Sequence, residues 1–253
     1  MSRIVLFAGT TEGRELCEFL QENKLGVTAH VATEYGKGRL METEYVKVVQ
    51  GRMNENEMYE SFLEEKPELV VDATHPYAVE VTDNISEACK RAHCSYVRLL
   101  RDSVDVDSAN LIWVSGIREA AEYIARTRGN VLLTTGSKEI GEFANFKDKD
   151  RIYIRILPNP DSLRDVIDMG FSTKQMICLH GPFSEELNYA LMKECDIKYM
   201  ITKESGNQGG YVEKIKAAQR AGVKVIVIRR PRQETGLGMS EVIQYITKEM
   251  LEK

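Results

Sequence analysis

Short apolar runs rich in β-branched residues alternate along this chain with longer stretches in which apolar residues recur every three to four positions. The first pattern predicts buried strands near 3–8, 26–32, 45–49, 69–72 and 95–99, and again near 111–114, 131–135, 152–157, 176–180, 198–202 and 223–229. The second predicts helices near 12–23, 54–65 and 77–92, then near 117–127, 138–144, 160–169, 184–195, 209–221 and 239–252. In the segment 12–23, Leu16, Phe19 and Leu20 share one face while Glu15, Glu18 and Glu22 face outward. Asn54 is suited to cap the second helix and Pro67 marks its end. Pro158 and Pro160 interrupt the chain after one strand, and Gly222 ends a helix before the run Val223–Ile228. Strand and helix in strict alternation, with strands apolar throughout, describe parallel sheets covered on both faces. The rhythm pauses once, at the polar, turn-rich segment 101–110, which reads as a linker. The expectation is therefore α/β: two Rossmann-like doubly wound parallel-sheet domains, at 1–105 and 106–253.

Composition narrows the function classes. The chain has 253 residues, 43% hydrophobic and 29% charged, with a formal net charge of −5. That balance argues against a nucleic-acid binder, whose footprint is basic. It leaves anionic small molecules open, because local clusters decide that. The five cysteines are scattered, form no Cys-x-x-Cys, and read as free thiols in a reducing compartment. No metal site is expected, because the four histidines are not spaced to complete one with them. The first residues pass straight into a strand and no apolar run approaches the ~20 residues of a membrane span. A cytoplasmic protein without membrane partners is expected.

Candidate chemistry collects where strands end. Gly9-Thr10-Thr11-Glu12-Gly13-Arg14 follows the first strand and opens a helix, so backbone N–H groups and the helix dipole converge on an anion there. Its spacing departs from the G-x-G-x-x-G fingerprint. After the second strand come Thr33 and Glu34. An acid at this place suits a ribose 2′-hydroxyl, whereas Thr33, Lys37 and Arg39 suit a 2′-phosphate. Asp72-Ala73-Thr74-His75-Pro76-Tyr77-Ala78 follows the run Leu69–Val71, and its His75 is a candidate proton donor, with Tyr77 as a second candidate acid. In the second half, Thr134-Thr135-Gly136-Ser137-Lys138 opens a helix after a buried strand. His180-Gly181-Pro182-Phe183 and Lys203-Glu204-Ser205-Gly206 follow two others. Any one of these is also an ordinary β–α connection. Their repetition at strand carboxyl ends, where open α/β sheets bind ligands, is what points to function. Basic residues gather near the same edges: Arg98, Arg101, Lys138, Arg155, Lys203, Arg229, Arg230 and Arg232. Singly each is a surface charge; together they suit a polyanion.

Taken in order, these loops, with Arg155-Ile156-Leu157-Pro158, resemble the precorrin-6A reductase family of cobalamin biosynthesis, including its cobalt-precorrin-6A branch, over essentially the whole chain. The resemblance implies an active site in the cleft between the domains and reduction of one double bond of the macrocycle to the 6B form by NADPH or NADH. It implies that Gly9 to Arg14, Thr33, Glu34 and Ala73 to Pro76 hold the cofactor. Arg98, Thr135, Gly136, Ser137, Lys138, Arg155, Gly181, Pro182, Phe183, Lys203, Ser205 and Gly206 would hold the tetrapyrrole. His75, Tyr77, Lys203 or a bound water would supply the proton, and cobalt would enter only inside the substrate. Hand-over of the macrocycle between neighbouring pathway enzymes belongs to the same expectation. Glu34 departs from the basic residue expected of the phosphorylated-cofactor branch and favours NADH and the cobalt-containing branch. A tetrapyrrole-modifying transferase and a non-catalytic nucleotide- or tetrapyrrole-binding protein are the competing readings.

Overall fold

The computed structural model describes residues 4–100, 110–204, 210–231 and 235–252. The linker expected at 101–110, the basic residues Arg101 and Arg232, and the candidate residues Ser205 and Gly206 lie almost wholly outside these segments; of them only Asn110 is described. The chain divides into two compact units, Met1–Asp102 with Arg232–Lys253, and Ser103–Pro231.

The first unit opens with β1 (Ile4–Phe7), α1 (Thr11–Glu22), β2 (Val27–Val31), the short α2 (Glu34–Lys37) and β3 (Val46–Gln50). It continues with α3 (Glu55–Glu65), β4 (Leu69–Asp72), α4 (Val79–Ala92) and β5 (Tyr96–Arg98). All pairings are parallel, in the order β3-β2-β1-β4-β5. Every residue of β1, β2 and β4 is buried because helices cover both faces. On one face Ile4, Leu6, Val27, Ala29, Leu69 and Val71 pack against Leu16 and Leu20 of α1. On the other, Val5, Phe7 and Val70 pack against Met58 and Phe62 of α3 and Ile85 and Ala88 of α4. Asn54 caps α3 with a capping box that it shares with Glu57.

One expected boundary is corrected. The division at 105/106 left the last helix with the second half, yet residues 232–253 belong to the first unit. There Val242 and Ile246 of α9 (Met239–Ile246), with Met250 just beyond it, join the apolar layer under α1. On the way the chain lies along the free edge of β5, where Leu237 donates its N–H to Arg98 O (2.9 Å) and accepts from Leu100 N–H (2.8 Å). Gly236 is required at that turn, since a Cβ would run into the Arg98 carbonyl. Amphipathicity announced a helix but not which face would take it.

The second unit holds β6 (Leu111–Val114), α5 (Ile117–Ala125), β7 (Asn130–Leu133), β8 (Ile152–Ile156), α6 (Pro160–Asp168) and β9 (Met176–Cys178). After these come α7 (Glu185–Glu194), β10 (Ile197–Lys203), α8 (Tyr211–Ala221) and β11 (Lys224–Ile228). Its sheet is again parallel, in the order β6-β11-β10-β7-β8-β9. Two doubly wound parallel-sheet units therefore agree with the expected α/β class. The helix expected at 138–144 is instead a 3₁₀ segment, Ser137–Phe143, held by buried Ile140 and Phe143. Among the described residues no helix is long and apolar enough to cross a membrane.

Truncating the returning helix tests this partition. Ile246→Ala removes buried methyl groups from the first unit and should cost about 2–5 kcal/mol. Hydrogen exchange should accelerate in β1, β2 and β4 while β7 and β10 keep their protection. Acceleration confined to the second unit would contradict the partition.

Candidate functional site

In the first sheet the strand order reverses between β1 and β4, so the carboxyl ends of these strands flank the natural ligand crevice. The loops there are locked together. Thr10 caps α1 by accepting from Gly13 N–H (3.2 Å) and donates its hydroxyl to Ala73 O at 2.9 Å. A Cβ on Gly9 would lie 3.2 Å from Thr74 Cα, and one on Gly13 would lie 3.0 Å from both Ala73 Cβ and Ala8 Cα. Gly9 thus leaves backbone open at the crevice, and Gly13 lets α1 press against the strand ends. Close helix–strand packing of this kind is one of the tasks glycine performs in such turns. Glu12, in the first turn, is buried, where the helix dipole stabilises a negative side chain. Arg14 turns outward enough to meet Glu18 at 3.6 Å. Thr33 caps α2 by accepting from Gly36 N–H (3.1 Å), and Glu34 is the exposed first residue of that turn.

Behind the β4 loop stands a buried ionic cluster. Asp72 is 0% and Arg98 4% exposed. Arg98 Nη1 donates to Asp72 Oδ1 (2.7 Å), Asp72 O (3.2 Å) and Thr74 Oγ1 (3.1 Å). Asp72 also accepts from Thr74 N–H (2.9 Å) and from the Tyr96 hydroxyl (3.2 Å). Burial, with the Asp72 charge second, raises the Tyr96 phenol far above its usual value. Arg98 was expected to bind the macrocycle. Its guanidinium is instead consumed inside the first unit, bracing Thr74. The loop continues through half-buried His75, whose Nδ1 accepts from Tyr77 N–H at 3.3 Å, and buried Pro76.

A cavity of about 240 Å³ opens beside this crevice. Gly9, Thr74 and His75 line it from β1 and β4, Val31 and Ala32 from β2, and Gly51 to Met53 from the end of β3. His30 lines it too. Sequence reasoning passed over His30 because it lies inside an apolar strand. The available signal was a lone polar ring one residue before a strand's carboxyl end.

In the second sheet the order reverses between β10 and β7. Thr134 at the end of β7 donates its hydroxyl to Ile201 O (2.9 Å), and Lys203 at the end of β10 is ion-paired with Glu139 at 2.8 Å. Thr135 Oγ1 is buried and has no hydrogen-bond partner among the described residues. Gly136 has φ +86°, a conformation that favours glycine, and Lys138 is exposed. Ser137 Oγ lies 3.4 Å from Ser162 Oγ. The segment these residues open is 3₁₀ rather than the α-helix expected there.

Beside these, Arg155 is buried under the Phe183 ring (4.5 Å) and donates to Asn188 Oδ1 at 2.7 Å. Asn188 is neutral, and among the described residues no carboxylate is ion-paired with Arg155. Burial lowers its pKa to about 10. Lys214, unforeseen because a mid-helix lysine reads as surface, is 7% exposed. Burial first, then the charge of Arg155, bring its pKa down to about 7 against the opposing pull of Glu213. Gly210, at φ +63°, brings the start of α8 against Pro182 and Phe183. Gly181 and Pro182 are exposed.

Comparison with known proteins bears on this geometry. The family model described as precorrin-6x reductase CbiJ/CobK matches residues 3–247. A cobalt-precorrin-6A reductase of Priestia megaterium is 35% identical, covering 92% of each chain. One from Methanocaldococcus jannaschii is 32% identical, covering 96% of this chain and 97% of its own. A precorrin-6A reductase of Mycobacterium tuberculosis is 30% identical, over 94% of this chain and 92% of its own. Among solved structures, CobK precorrin-6A reductase superposes with a TM-score of 0.80 at 18% identity, over 98% and 97% of the two chains. At that identity the likeness is one of fold.

Two measurements probe the buried charges. Arg98→Met leaves Asp72 buried and unpaired and should cost about 3–5 kcal/mol in denaturant titration. A cost under about 1 kcal/mol, as for a surface pair, would refute the bracing role. For Lys214, the unfolded chain holds a proton that the folded chain has released between about pH 7 and the ordinary lysine value of 10.5. Stability should therefore rise with pH across that window, and Lys214→Met should flatten the rise.

Proposed function

The chain belongs to the precorrin-6x reductase family, CbiJ/CobK, and we propose that it reduces one carbon–carbon double bond of precorrin-6A or cobalt-precorrin-6A to the 6B form in cobalamin biosynthesis, with NADH or NADPH as donor. The observation that carries the cofactor half is the crevice between β1 and β4. Gly9 exposes backbone there, and Thr10 ties the start of α1 to the β4 loop at 2.9 Å. The residues present fit a dinucleotide. The N-terminus of α1 and the Gly9 backbone suit a pyrophosphate, and Thr33 and Glu34 stand at the β2 end where a ribose is held. Thr74, His75 and Pro76 form the opposite wall. When bound, the reduced nicotinamide supplies a hydride to one carbon of the double bond.

The neighbouring carbon needs a proton, and this reading assigns it to His75. In the neutral ring Nδ1 accepts the Tyr77 amide; as the acid His75 is the imidazolium, which gives up that hydrogen bond, donates from Nε2 and is left neutral with its proton on Nδ1. Tyr77 and Lys203 remain the other side chains able to donate. For the macrocycle, the acetate and propionate carboxylates suit Lys138, Lys203 and Arg155. The Phe183 face and the Thr135 hydroxyl offer an apolar wall and an unused polar group. Ser205 and Gly206 would join them. Arg98 drops out of this set because its guanidinium is engaged by Asp72. Cobalt would arrive within the substrate, and the cytoplasm is the compartment proposed for the reaction.

Purified protein mixed with NADH or NADPH and precorrin-6A or its cobalt form should consume nicotinamide absorbance in proportion to substrate. Binding of both ligands without turnover would overturn the catalytic reading. Gly9→Val should weaken cofactor binding by roughly tenfold or more, about 1.4 kcal/mol per decade, measured by fluorescence titration. His75→Ala should lower kcat by roughly 100-fold, within the usual range for a general acid. Unchanged turnover would transfer the donor role to Lys203 or Tyr77.

A further inference from the structure

We propose that the exposed apolar shelf at the carboxyl ends of β8 and β9, formed by Leu157, Pro158, Leu179 and Pro182, is the subsite on which a broad face of the tetrapyrrole rests. The inference deepens the macrocycle reading above and depends on it. In β8 and β9 the register pairs Arg155 with Ile177 and Ile156 with Cys178. One step further it brings Leu157 beside Leu179, and Leu179 N–H still donates to Ile156 O at 3.2 Å. Neighbouring strands lie about 4.8 Å apart, and alternation directs both leucines to the side of Arg155 and Ile177. α7 covers that side: Arg155 donates to Asn188, and Ile177 packs against the cluster that holds Met192. The cover ends before the leucines, which stay 43% and 40% exposed. Pro158 and Pro182, in the loops that follow, are exposed as well.

Single exposed leucines are ordinary on a protein surface. Two that are register neighbours, at the sheet edge where α/β units bind ligands, form a surface of another kind. Its backing is fixed. The Phe183 ring lies on the Arg155 guanidinium at 4.5 Å, and a Cβ on Gly181 would lie 3.2 Å from that ring. Asn188 Nδ2 donates to Phe183 O (3.3 Å) and Ser184 O (2.8 Å), and Ser184 caps α7 by accepting from Leu187 N–H (3.2 Å). The shelf is therefore preorganised, and a ligand that covers it loses little to ordering the protein. What covers it follows from size and charge. A stable protein interface buries roughly 800 Å² on each partner, more than four side chains supply. A macrocycle face is of that few-residue size. The neighbouring strand β7 is followed by exposed Lys138, so an ammonium stands on the same sheet edge as the apolar surface. Apolar ring faces with carboxylates at the rim match that pairing.

The test is the paired variant Leu157→Gln/Leu179→Gln in the intact protein, with Leu157→Met/Leu179→Met as its apolar counterpart. Affinity for precorrin-6A or its cobalt form is read by absorbance titration, and affinity for NADH by fluorescence. The glutamine pair should bind the macrocycle roughly tenfold more weakly, as for two lost apolar contacts, with NADH affinity unchanged. The methionine pair should bind it as the parent does. Because the contact is apolar, the deficit should persist at high salt, where that of Lys138→Met shrinks. Parental macrocycle affinity in the glutamine pair would overturn the proposal. Equal weakening toward NADH, or in both pairs, would mark a packing role and overturn it as well. A changed oligomeric state in sedimentation, with macrocycle affinity intact, would give the shelf to a second copy of the chain instead. Failure of the unsubstituted protein to bind the macrocycle at all would overturn the macrocycle reading itself, and the shelf with it.

Discussion

A carboxylate with no access to water sits at the end of β4, and the ligand edge of the first unit is built around satisfying it. Asp72 takes hydrogen bonds from Arg98, Tyr96 and the Thr74 amide, so the cost of burying the charge is met by partners from β5 and from the loop itself. Arg98, held there, also reaches Thr74 Oγ1, and Thr74 contacts Thr82 of α4 at 3.1 Å. Ala73 is thereby placed to receive the Thr10 hydroxyl. The ion pair and the Thr10–Ala73 hydrogen bond together hold these two loops against one another. The glycines at 9 and 13 are what that close spacing requires.

The second unit handles buried charge in the opposite way. Arg155 rests on a neutral amide and an aromatic face, and Lys214 lies close enough for the two cations to repel. Only Glu213 opposes them among the causes that set the Lys214 pKa. Where Asp72 and Arg98 cancel by pairing, here burial and mutual repulsion are met in part by the lysine giving up its proton near pH 7. The contrast separates an ion pair that braces a loop from two buried cations that repel one another.

How far the sequence could be read follows the same line. The buried strands and their helices were legible because continuous β-branched runs and 3.6-residue periodicity are local signals. The loops at 9–14 and 72–78 were legible because glycine and proline punctuate strand ends. Arg98 misled, since a basic residue at a strand end looks the same whether it points to ligand or to a buried aspartate. His30 and Lys214 were passed over for the converse reason: one sits within an apolar strand and the other within an amphipathic helix. Their burial depends on what packs across from them. The 3₁₀ turn at Ser137–Phe143 escaped because Ile140 and Phe143 fit either helix type.

The α/β alternation, the strand-end loops and the family likeness are all legible without a structure, because each is written in residues adjacent along the chain. Tertiary structure alone decided that β1 and β4 flank the crevice, that residues 232–253 return to the first unit, and that Arg98 serves Asp72. It also decided that the His30 ring lines the cavity beside Gly9. These are matters of strand order and burial. They arise from residues far apart in sequence competing for one interior, and no local pattern encodes which of them meet.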